Sequence, residues 1–191
     1  MNTTRPSLLL RVRNREDDRA WGEFVALYRP LLLRYAQARG LDPEDAEDVA
    51  QHCLANIIRK IRDFEYDPRL GRFRSWLRRM VDHRVISVFR RRRELHADTR
   101  EFERPQQRER SPDETWQRIW LEEHLRHCLE QVRTRVAPHT FEAFHRVVLK
   151  GCPVPEVCGA LDMTPNQVYV ARSRVTRHLQ DLMAELVGED G

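Results

Sequence analysis

The chain has 191 residues, 34% of them charged and 40% hydrophobic, with 7 glycines and a formal net charge of +4. This balance excludes a membrane span, one thick core and a strand-rich fold, and leaves an all-α protein of small amphipathic modules as the expectation. No secretion signal opens it, so a cytoplasmic protein is expected, with Cys53, Cys128, Cys152 and Cys158 as reduced thiols.

In chain order, Ala20, Phe24, Leu27, Leu31 and Tyr35 recur at helical spacing within residues 16–39, and Gly40 ends that helix. Asp42 caps a second helix, with Pro43 in its first position, that runs to about Arg62. It turns Ala46, Val49, Cys53, Leu54, Ile57 and Ile61 inward. A loop with Pro68 and Gly71 separates it from a third helix over 72–93. From Glu94 to Thr115 periodicity and apolar content vanish, which predicts a flexible linker. Helices follow over 116–136, 140–150, 155–161 and 165–187. The expected organisation is therefore two small helical domains, 1–93 and 116–191, joined by a tether over 94–115.

Charge is unevenly placed along this frame. Asp42, Glu44, Asp45, Glu47 and Asp48 crowd the second helix's first turns, beyond what its dipole needs. They suit docking to a basic protein. Residues 59–93 instead hold 13 Lys and Arg against Asp63, Glu65, Asp67 and Asp82. Opposite signs on adjacent helices imply different partners.

On a helical wheel of the third helix, Phe73, Leu77, Met80, Val81 and Val88 form a core side. Arg72, Trp76, Arg79, His83 and Arg90 form the neighbouring stripe. Arginines that track phosphates and rings that stack bases are the means of holding single-stranded nucleic acid. Phe64 and Tyr66 add rings from the loop, and Arg74 adds charge. Trp76 fits the edge of a core as well as it fits a base contact. The run Arg90 to Arg93 fits a basic tail as well as a phosphate site.

The C-terminal segment from Val154 reads as helix, tight turn at Asp162-Met163, helix. Thr164, Pro165 and Gln167 make a capping box at the start of the last helix. Its apolar stripe is Val168, Ala171, Val175, Leu179, Leu182 and Leu186. The other faces carry Asn166, Gln167, Tyr169, Arg172, Ser173, Arg174, Thr176 and Arg177. A helix-turn-helix of this form places the start of its second helix in the major groove, where Asn and Gln suit adenine and Arg suits guanine or phosphate. A solvated helical hairpin is the plainer alternative. His124, His127 and Cys128 share one helix and could form a metal set, though a surface histidine beside a buried cysteine is the simpler account. No carboxylate pair joins a His, Ser or Cys constellation, and no glycine loop would cradle a phosphate, so no enzyme is expected.

Together these parts resemble a bacterial RNA polymerase sigma factor of the sigma-70 family, in its small extracytoplasmic-function (ECF) group, which keeps sigma-2 and sigma-4 domains with a tether between them. D-P-E-D-A-E-D-V-A-Q, residues 42–51, resembles the family's core-polymerase docking motif. F-E-Y-D-P-R-L-G-R-F-R-S-W-L, residues 64–77, resembles the loop and helix start that capture the melted −10 strand. E-V-C-G-A-L-D-M-T-P-N-Q-V, residues 156–168, resembles the helix-turn-helix that reads the −35 element.

The resemblance implies a transcription initiation factor without chemistry or cofactor of its own. Its implied partners are core RNA polymerase through Asp42, Glu44, Asp45, Glu47, Asp48 and Gln51, and promoter DNA, both duplex and melted. An anti-sigma factor is a further candidate partner; a small-molecule substrate is not implied. The sequence departs from the family where His52 follows Gln51, where His83 stands in place of the usual Asn, where Asp162 replaces the turn glycine, and where Tyr169-Val170-Ala171 replaces a basic run. Arg174 falls where the family keeps an Arg. A stand-alone helix-turn-helix regulator is the alternative.

Overall fold

The computed structural model describes residues 8–61, 73–95 and 111–188, and these are helical with no strand. The elements are α1 (Leu8–Arg11), α2 (Asp18–Ala38), α3 (Pro43–Lys60), α4 (Phe73–Leu95), α5 (Pro112–Arg135), α6 (Pro138–Phe144), a π-helical turn (His145–Leu149), α7 (Val154–Leu161) and α8 (Pro165–Gly188). Contacts divide the described residues into one unit up to Glu123 and a second over His124–Gly188.

The first unit is built on α2, α3 and α4. Asp17 caps α2, its carboxylate accepting from the Ala20 N–H at 2.9 Å. That bond, and then Arg11, hold the Asp17 carboxyl below its usual range. Phe24, Leu27, Leu31 and Tyr35 are buried, as their spacing predicts. The helix ends where Gly40 takes φ 95°. There the Gly40 N–H donates to Gln37 O and the Leu41 N–H to Ala36 O, at 2.9 and 3.2 Å, which satisfies carbonyls the helix leaves open.

Asp42 then caps α3 through the Asp45 N–H at 2.9 Å, with Pro43 in the first turn. Ala46, Val49, Cys53 and Ile57 of α3 are buried, as are Phe73, Leu77, Val81, Val85 and Val88 of α4, and the two helices pack together. Burial pushes the Cys53 thiol up to about 12, so it packs as a small apolar side chain. Leu54 and Met80, expected in the core, are only half-buried.

The region expected as linker contains more helix than its polarity suggests. Glu94 and Leu95 still belong to α4, and α5 begins at Pro112. Ser111 and Glu114 bond reciprocally at 3.1 and 3.2 Å, a capping box that starts α5 before Trp116. The heart of the expected linker, 96–110, lies outside the described residues. The contacts also divide between Glu123 and His124, later than the expected domain start at Trp116. The cause is aromatic burial. Trp116 and Trp120 are 2% and 3% exposed, with ring centroids 4.8 Å from Tyr35 and 5.8 Å from Tyr28, respectively. Arg34 binds Glu122 and Glu123 at 2.6 and 2.5 Å alongside.

In the second unit, Cys128 and Val132 of α5 pack with Phe144, Val175, Leu179 and Leu182. Burial raises the Cys128 thiol to about 11. An adjoining cluster joins Ala143, Val157, Val168 and Ala171, which clamps α7 against the start of α8. The turn between them puts Asp162 at φ 50°, ψ 47°. Aspartate tolerates this left-handed conformation better than most residues with a β-carbon.

Candidate nucleic-acid interface

Side chains of α3 and α4 line an open groove of about 490 Å³ in the first unit, formed by His52, Asn56, Lys60, Trp76, Arg79, Met80, His83, Arg84 and Ser87. His52, Asn56 and Lys60 are spaced four apart and share one face of α3. Trp76, Arg79 and His83 contribute the facing stripe of α4, so the fold brings these three predicted residues together. The lining contains three formal cations, two imidazoles, one indole and no carboxylate. An anionic chain carrying flat bases matches that set. Partial desolvation, then Arg84 and Arg59, lower the His52 pKa.

The other strand-capturing candidates fall elsewhere. Arg74 lies toward α5, its guanidinium 5.3 Å from the Trp120 ring centroid. Arg90 is exposed farther along α4, 3.9 Å from Glu94. Phe64, Tyr66 and Arg72 lie outside the described residues. Trp76 is half-buried, with its ring 5.6 Å from that of Phe73 and an edge in the groove. It therefore serves packing and the groove together.

The acidic patch is divided as well. Arg92 of α4 pairs with both Asp42 and Asp45, because α3 and α4 run antiparallel and the end of one meets the start of the other. Arg29 of α2 donates to both Glu47 oxygens at 2.7 and 2.8 Å, and Gln51 donates to Glu47 at 3.2 Å. The Asp45 N–H and then Arg92 hold the Asp42 carboxyl low. Arg29 and then Gln51 do the same for Glu47. Three of the five acids thus hold the bundle together, while Glu44 and Asp48 are exposed beside Gln51.

In the second unit the capping box at α8 forms as expected. Gln167 Oε1 accepts from the Thr164 N–H at 2.7 Å, and the Gln167 N–H donates to Thr164 Oγ1 at 3.3 Å. The Gln167 oxygen is therefore engaged within the protein. Asn166, Tyr169, Arg172, Ser173, Arg174 and Arg177 are exposed, and Thr176 is half-buried. His124 and Cys128 are buried, and His127 is 2.7 Å from the Gln131 amide. The described residues contain no set of three or more ligands placed to hold a metal.

Sequence reasoning missed the α3 half of the groove. Its signal was legible: His52, Asn56 and Lys60 repeat every fourth residue on a helix otherwise read only for its acids and core. It also missed that Trp116 and Trp120 belong to the first unit.

Comparison with known proteins bears on the same helices. Residues 24–94 match the family model of Sigma-70 region 2. The match takes in most of α2 and all of α3, with nearly all of α4, and so includes both walls of the groove. Over these residues the chain is similar to sigma-70 region 2, the family the resemblance had suggested. Among solved structures the chain is similar to CnrH in complex with the cytosolic domain of CnrY. The identity is 20%, the overlap covers 92% of this chain and 94% of that one, and the TM-score is 0.38. No curated protein matches the sequence. No described helix is long and apolar enough to cross a membrane.

Proposed function

We propose that this protein is a bacterial sigma factor of the ECF type. In this account it recruits core RNA polymerase to promoters, reads a −35 element with α8 and stabilises the melted −10 strand along α4. The single observation that carries the account is the region 2 match laid over a cationic, indole-bearing groove free of carboxylates. Trp76, Arg79 and His83 are the α4 contacts in this proposal, and Phe64, Tyr66 and Arg72 are further proposed contacts. Its docking face is Glu44, Asp48 and Gln51, the exposed remainder of the acidic motif. Such a protein works in the cytoplasm, has no substrate of its own and is a natural target for an anti-sigma factor.

Docking is tested by mixing the full chain with purified core polymerase and following co-elution by size-exclusion chromatography. Stoichiometric co-elution that Asp48→Arg abolishes is expected. Specific duplex binding by the free chain, with no co-elution, would instead indicate a stand-alone regulator.

A further inference from the structure

The outward side of α8 carries an apolar residue where solvent alone would favour a polar one. Taking 100° per residue, the buried Val168, Ala171 and Val175 set the inward direction. Asn166, Ser173 and Arg177 lie opposite, and Val170 is on the same outward side, about 45° from that line. Val170 is 48% exposed, and its neighbour Tyr169 is 51% exposed. A β-branched residue gains nothing there from helix propensity or from burial.

The surroundings identify the occupant by charge. From Pro165 to Gln180 the helix has no acid, while Arg172, Arg174 and Arg177 flank the apolar pair. The first turn also lacks the carboxylate that commonly offsets the helix dipole. Arg172 is held over the Tyr169 ring, 5.8 Å from its centroid, which fixes a cation beside Tyr169, and Arg174, four residues on from Val170, lies on Val170's side of the helix. An apolar centre within a basic rim fits the major groove of duplex DNA, whose one apolar base-edge group is the thymine C5-methyl.

We infer that Val170, with Tyr169 beside it, is a specificity determinant that selects thymine methyl groups in the duplex α8 reads. The inference rests on α8 being a duplex-reading helix and adds the base chemistry it prefers. Asn166 takes an adjacent adenine edge, and Arg174 and Arg177 take phosphates.

The test begins by selecting randomised upstream duplexes with holoenzyme reconstituted from the full chain and core polymerase. Thymines of the selected site are then replaced singly by deoxyuridine, which removes only the methyl. At one or two positions the wild type should bind about fourfold more weakly per methyl lost, and Val170→Ala should bind both duplexes alike. Arg174→Ala should weaken both duplexes equally and keep the methyl effect. Selection of a site with no methyl dependence, or dependence unchanged in Val170→Ala, overturns the inference and leaves the sigma reading standing. Failure to select any upstream duplex removes α8 as a reading helix, and the inference with it.

Discussion

Arg34 Nη1 lies 2.5 Å from Glu123 Oε1, joining α2 to the middle of α5. The Glu123 side chain is 2% exposed and that of Arg34 is 42% exposed. Arg34→Met leaves the buried carboxylate without its guanidinium. After allowance for the arginine's exposure, the loss should be about 1–3 kcal/mol of stability. Urea unfolding followed by tryptophan fluorescence measures it; an unchanged midpoint would show that this ion pair holds nothing.

Trp116 and Trp120 make the first half of α5 part of the first unit. A fragment ending at residue 123 should therefore unfold at higher urea than one ending at residue 95. Trp116→Ala in the longer fragment should cost about 3–5 kcal/mol. Equal stability of the two fragments would detach α5 from this unit.

The acids at the start of α3 should behave as two classes. Asp48→Arg should prevent co-elution with core polymerase and leave helical circular dichroism intact. Asp45→Arg should lose both, because it sets a cation against Arg92. If both variants keep their helicity, the Arg92 pairing is immaterial to the fold.

Acid should loosen α3 through its cap. Asp42 and Glu47 titrate below their ordinary values in the folded protein. Their contribution is therefore complete above about pH 5 and is lost as pH falls through the lowered folded values. Amide exchange of the first turn of α3 should accelerate over that window. Asp42→Asn keeps a cap and should flatten the dependence; identical profiles would assign the loosening to other groups.

Arg79 is exposed and lines the groove. Arg79→Ala should weaken open complexes and reduce the salt slope of binding by about 0.7 to 1. A slope identical to wild type would place Arg79 off the DNA.

Much of this was legible from local pattern. Gly40, Asp42 and Thr164 mark helix ends because caps and stops are local chemistry. The wheel of α4 found Trp76, Arg79 and His83 because one helix fixes their common face. Pairings between elements were not legible. Arg92 looked like part of a basic tail until the antiparallel α3 and α4 set it against Asp42 and Asp45. Trp116 and Trp120 sit at the edge of a polar stretch, and spacing alone cannot say which unit buries them. Asp162, a departure from the family's turn glycine, was resolved by its left-handed backbone.

The central claim is that this chain makes core polymerase start transcription at chosen sites. Run-off transcription with purified core enzyme and a library of genomic promoter fragments tests it most directly. The account predicts discrete transcripts that need the protein and that Asp48→Arg or Arg79→Ala diminishes. Transcripts no different from those of core enzyme alone, on every fragment, would contradict it.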